Sequence, residues 1–161
     1  MRPVSAEPNA QFMREAIRLA DESVECGGGP FGAVVVKDGI VIAGGSNSVT
    51  LDNDPTAHAE VNAIREACRK LNTFSLAGCT LYTSCEPCPM CLGAIYWSGI
   101  DRIYYANTRK DAAEAGFVDD FIYDEFSRPL NQRTLPITNI LRDEALHTFR
   151  HWQEKSDKTV Y

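Results

Sequence analysis

Cys88 and Cys91 stand three residues apart. On one helical turn that spacing puts both sulfurs on the same face, within reach of a single ion. Pro89 between them suits the first turn of a helix, so the pair belongs at a helix start. There the backbone dipole and free N–H groups favour thiolate over thiol. Two thiolates and an imidazole make a soft, tetrahedral set suited to zinc, and His58 is the third candidate ligand, also near a helix start. Three protein ligands leave one position for water, which separates a catalytic zinc from a structural one. Glu60 lies two residues beyond His58, so the two do not share a helical face, and Glu60 is poorly placed as a further ligand from that face. A first-turn carboxylate can instead hydrogen-bond the water and carry its proton, because zinc brings water's pKa to about 7. The chemistry expected is hydrolysis.

Blander readings of the same residues stand beside this one. Cys85 could join His58, Cys88 and Cys91 in a closed structural site, which would leave Glu60 without a task. The overlapping pairs Cys85/Cys88 and Cys88/Cys91 also resemble redox dithiols, a reading that ignores His58 and Glu60. Cys26, Cys68 and Cys79 read as small apolar residues. His147 and His151 are four apart but have no carboxylate or cysteine partner in sequence, so they read as surface or packing residues. The glycine run at 27–29 lacks the lysine of a phosphate loop and reads as a helix stop.

Helices and strands alternate around these motifs. Helical spacing of apolar residues predicts a helix over 9–25, capped by Asn9, with Phe12, Met13, Ala16, Leu19, Ala20 and Val24 recurring. Residues 31–36 and 40–43 are β-branched runs joined through Asp38-Gly39, a strong hairpin signal. Residues 44–55 read as a polar loop, 57–71 as a helix, 80–83 as a short buried strand, 89–97 as a helix and 102–106 as a strand. A helical turn is expected over 111–115, mixed structure over 117–133, a fifth strand over 135–141 and a last helix over 144–153. The expected fold is α/β: a three-layer α-β-α sandwich around a mixed five-stranded sheet. It forms one domain over 1–161, with a frayed start at 1–8 and a polar tail at 154–161.

Composition agrees with a packed soluble domain. Of 161 residues, 44% are hydrophobic and 24% charged, and the net charge is −6. An acidic chain is a poor general binder of phosphate backbones, so a small molecule is the expected partner and nucleic acid is not. The apolar stretch at 90–97 is far shorter than the ~20 residues of a membrane span. No basic start and apolar run suggest a secretory signal, so a reducing, cytoplasmic setting is expected for the six cysteines.

His58-Ala59-Glu60, followed 28 residues after Glu60 by Cys88 in Pro87-Cys88-Pro89-Met90-Cys91, matches the signature of zinc-dependent base deaminases. The sequence resembles the cytidine deaminase superfamily over nearly its whole length, and within it the short zinc-dependent guanine deaminases of bacteria. Gly28-Gly29-Pro30-Phe31-Gly32-Ala33, Asn53-Asp54-Pro55-Thr56-Ala57-His58-Ala59-Glu60, residues 85–97 and residues 111–117 carry that resemblance. It implies guanine hydrolysis to xanthine and ammonia, with Zn2+ on His58, Cys88 and Cys91 and Glu60 as proton carrier. It further implies Asn47 on the purine edge, Phe31 and Trp97 against the base, and Asp119 and Asp120 facing the N–H groups of guanine. An acceptor-only carboxylate suits that donor-rich edge. Asn47 reads equally as a loop cap, and the two aromatics as plain packing. The resemblance also implies a domain-swapped homodimer in which Tyr161 at the tail closes the partner's site. Three rivals remain: tRNA adenosine deamination, deamination of another nucleobase or nucleoside, and a zinc-stabilised binding module without turnover.

Overall fold

The computed structural model describes residues 7–161, so the expected frayed start at 1–8 falls, but for Glu7 and Pro8, outside the described residues. Two compact units make up the chain, residues 1–120 and residues 121–161. In the first unit, α1 (Ala10–Glu25) is capped by Asn9, whose side chain accepts from the Gln11 amide. It leads into the hairpin of β1 (Gly29–Lys37) and β2 (Ile40–Asn47). Asp38 and Gly39 at the turn both have positive φ, as the expected Asp-Gly hairpin requires. A short helix α2 (Val49–Asp52) precedes α3 (Ala59–Leu71), β3 (Cys79–Cys85), α4 (Pro89–Ser98), β4 (Arg102–Asn107) and α5 (Arg109–Glu114).

The sheet order is β2-β1-β3-β4; β1 pairs antiparallel with both β2 and β3, while β3 and β4 run parallel. The mixed sheet is therefore as expected. Alternation along β1 divides the core into two layers. Ala33 and Val35 face Ala59, Ala63 and Ala67 of α3 and Ile95 of α4. Val34 and Val36, with Tyr82, face Phe12, Met13 and Leu19 of α1. The three-layer arrangement follows directly.

Two expectations are corrected. Among the described residues the sheet has four strands, and residues 135–141 form none. Pro136 has no amide hydrogen for a ladder, Leu141 is left-handed with φ 53°, and Leu135, Ile137 and Ile140 are exposed. The apolar run alone suggested a strand, but nothing in the backbone supports one. The second correction concerns residues 44–55, which are not simply a loop: β2 continues to Asn47 and α2 follows. Gly44 and Gly45 are packing residues rather than turn residues. A Cβ on Gly45 would lie 2.5 Å from the Ala59 carbonyl oxygen, and one on Gly44 would lie 2.8 Å from Leu19 Cδ1. Missing side chains let both helices approach the strand, and the same absence disguised the strand in sequence.

The second unit holds most of α6 (Asp120–Ser127), a single 3-10 turn (Leu130–Gln132) and α7 (Arg142–Glu154). Its internal tie is Glu125, whose carboxylate accepts from the Thr134 amide at 2.8 Å and the Thr134 hydroxyl at 2.9 Å. No helix among the described residues is long and apolar enough to cross a membrane.

Candidate active site

Two helix starts meet at the end of β3. His58 is the N-cap of α3 and Cys88 the N-cap of α4, with Pro89 opening the latter. Cys91 is fully buried in the first turn of α4, and its amide donates to the Cys88 sulfur. His58 Nδ1 lies 3.4 Å from Cys88 Sγ and 3.5 Å from Cys91 Sγ. A tetrahedral zinc with Zn–N near 2.0–2.1 Å and Zn–S near 2.3 Å has N···S edges of about 3.5 Å. The donor set therefore fits zinc in kind and in spacing. Among the described residues, these three form the group able to hold a metal ion.

Cys85 does not join them. It is buried, its sulfur lies 3.8 Å from the Thr108 carbonyl oxygen, and burial pushes its thiol up to about 11. It is a neutral thiol turned toward a carbonyl, so the closed four-ligand arrangement has no support. Metal-free, the remaining pair shares its protons unequally. The Cys91 thiol and the His58 ring hold Cys88 as thiolate, down at about 4. Cys91 is pushed well up by Cys88 and by burial, with Glu60 adding to the effect. His58 is raised chiefly by its hydrogen bond with Cys88.

Glu60, in the first turn of α3, is 5% exposed, and its Oε1 lies 2.7 Å from the Thr83 hydroxyl. That hydroxyl also lies 3.1 Å from the Cys85 carbonyl oxygen. With one proton to give, it donates to the nearer and charged acceptor.

A cavity of about 810 Å³ opens in front of these groups. Its walls bring together His58, Glu60, Cys88, Phe31, Asn47 and Asp119. Asn47 is 8% exposed and its Oδ1 accepts from the Val49 amide at 3.2 Å, so it does cap the loop. Its Nδ2 makes no hydrogen bond among the described residues. Burial, and next the Cys88 thiolate, raise the carboxyl of Asp119 above its ordinary range.

Three expected residues are not in this wall. Trp97 is 78% exposed and borders a separate depression with Val61, Ile64 and Phe74. A residue late in α4 points away from the cavity at that helix's start. Asp120 lies 3.8 Å from the Arg109 guanidinium instead of lining the cavity. Tyr161 belongs to the second unit and is 82% exposed.

Three contributors escaped the sequence reading. Phe117 lines the cavity and meets Phe31 edge-to-face, with centroids 4.9 Å apart and an interplanar angle of 84°. Glu86 holds the start of α5, accepting from the Arg109 amide and from Arg109 Nε at 3.0 Å each. Thr83 reads in sequence as ordinary strand; the available signal is a hydroxyl on the inward face of an apolar buried strand.

Residues 6–107 match the family described as "Cytidine and deoxycytidylate deaminase zinc-binding region". The chain belongs to this family. The deaminase match covers both metal-ligand motifs and ends at the close of β4. Over 151 residues the chain is 54% identical to a guanine deaminase of Bacillus subtilis, covering 93% of this chain and 97% of that protein. A crystal structure of guanine deaminase from that organism superposes with a TM-score of 0.93 at 52% identity, covering 96% of this chain and 99% of that one. A tRNA-specific adenosine deaminase of Aquifex aeolicus is 45% identical over 115 residues, 71% of this chain and 75% of that protein.

Proposed function

We propose that this chain hydrolyses guanine to xanthine and ammonia. The observation that carries the choice of base is the guanine deaminase likeness, which spans nearly the whole of both chains. It continues past the shared deaminase region, through the segment that supplies Phe117 and Asp119 to the cavity.

His58, Cys88 and Cys91 would hold the zinc ion, whose Lewis acidity lets water ionise near neutral pH. Glu60 takes a proton from the water that adds to C2 and delivers it to the ring nitrogen N3. It then takes the proton of the hydroxyl now on C2 and passes it to the departing 2-amino group, so the C2–O bond becomes the carbonyl of xanthine as the C2–N bond breaks and ammonia leaves. Phe31 and Phe117, in contact with each other, form adjacent aromatic walls beside the flat base, and Asn47 Nδ2 donates to its carbonyl edge. Asp119 accepts from the ring N–H and the amino group, a pairing that adenine and cytosine do not offer. Asp120 serves at one remove, through Arg109. The working unit is a homodimer of cytoplasmic single-domain subunits, in which residues 154–161 of each subunit, Tyr161 among them, cover the partner's cavity and keep bulk water out; Trp97 serves the base in that assembly. Support for an assembly comes from the apolar side chains of residues 135–141, exposed in the single chain.

Ammonia release from the zinc-loaded protein tests the proposal, with guanine, adenine, cytosine, their nucleosides and an anticodon stem-loop RNA as substrates. Release from free guanine is expected. Release from RNA adenosine alone would mean tRNA deamination, and turnover of none would leave a zinc-stabilised binding module.

A further inference from the structure

Strand β3 presents Cys79, Leu81, Thr83 and Cys85 in one row by its alternation. Cys79 and Leu81 pack with the small residues of α3. Thr83 continues that row with a hydroxyl, fully buried between Ala33 of β1 and Tyr105 of β4. Its Oγ1 meets Glu60 Oε1 at 2.7 Å. The last torsion of a glutamate side chain is broad and roughly two-fold, so nothing within Glu60 holds the plane of its own carboxylate. The branched Thr83 side chain, by contrast, is stiff at χ1 and sits in a strand paired on both sides.

We propose that Thr83 is a positioning residue for the reaction: its hydroxyl fixes the plane of the Glu60 carboxylate by holding Oε1, which leaves Oε2 to carry the proton. This rests on the reading of Glu60 as the proton carrier of guanine hydrolysis. Val has nearly the shape of Thr but offers no donor, so Thr83→Val releases the carboxylate while keeping the strand packed. Thr83→Ser keeps the donor and loses only a methyl group.

The test measures steady-state ammonia release from guanine by the zinc-loaded wild type, T83V and T83S, together with zinc content and thermal unfolding. A misdirected proton carrier should cost about a hundredfold in kcat for T83V, with KM and zinc content unchanged. T83S should recover most of the loss although its core is less filled. Wild-type kcat in T83V overturns the proposal, as does an equal kcat loss in T83V and T83S, which would mean packing alone. If T83V does not fold, T83S against T83A carries the same test, since these differ only in the hydroxyl, and equal kcat in the two overturns it. A wild type that releases no ammonia from guanine refutes the underlying function; an active wild type with an unaffected T83V refutes only the role of Thr83.

Discussion

The two ends of the cavity are built on different principles. At the metal end, His58, Glu60, Cys88 and Cys91 sit on two helix starts, where caps and first-turn geometry dictate where each side chain goes. At the end proposed to read the base, Phe31 comes from β1, Asn47 from the end of β2, and Phe117 and Asp119 from the stretch after α5. That stretch turns at Gly116, which has φ 97°. A two-motif end can stay fixed while a many-segment end changes, so one metal centre can serve different bases. The shared zinc-binding region, residues 6–107, takes in the whole metal end together with Phe31 and Asn47, and stops before Phe117 and Asp119.

Removing a metal ligand should break the comparison most completely. Cys91→Ser is expected to abolish both stoichiometric zinc, read by metal analysis, and all ammonia release. Zinc affinity should also follow pH in a stated direction. Cys91 and His58 both hold their protons more tightly than usual in the metal-free protein, and zinc must displace those protons. Affinity should therefore fall as pH falls, by about tenfold per pH unit for each proton released. A titration with a competing chelator at several pH values measures the slope, and a flat profile would contradict the ligand set.

Glu60→Gln comes next. The amide keeps the size of the side chain and its hydrogen-bonding to Thr83 but can no longer carry a proton. Turnover should drop by about 10³- to 10⁴-fold while zinc stays bound. Near-normal turnover would place proton transfer elsewhere.

The same division explains what could be read from the chain unaided. Cys88, Cys91, His58 and Glu60 are legible because three- and two-residue spacings at a helix start have one geometric meaning. The hairpin at Asp38-Gly39 and both core faces of β1 are legible for similar local reasons. Gly44 and Gly45 misled because close helix approach and loop composition look alike in one dimension. The placements of Phe117 and Trp97 were illegible for a related reason. Both are aromatics near a motif, and only the path of the chain decides which one turns into the cavity. The signal at Thr83, a hydroxyl on the inward face of a buried strand, does not name its purpose without Glu60 across from it, a partner 23 residues away.

Asp119→Asn should separate the two ends. The amide can present a donor where guanine offers donors, leaving buried polar groups unmatched. Guanine kcat/KM should fall by about a hundredfold, with zinc content unchanged. Loss of zinc in this variant would show that the ends are not independent.

Phe117→Ala sharpens the comparison with the smallest effect. Phe117 gives the cavity a second aromatic wall and supports Phe31 through an edge-to-face contact. Such pairs contribute about 0.5–1.5 kcal/mol beyond the area they bury, so a loss of about tenfold in guanine affinity is expected. Because the ring's aromatic partner is Phe31 and the ring has no group able to carry a proton or hold a metal, the loss should appear in KM, with kcat nearly intact. Steady-state kinetics on guanine reads the split. A fall in kcat at constant KM would mean that Phe117 acts on the chemistry itself, and the boundary between the metal end and the base end would then have to be redrawn on the far side of that ring.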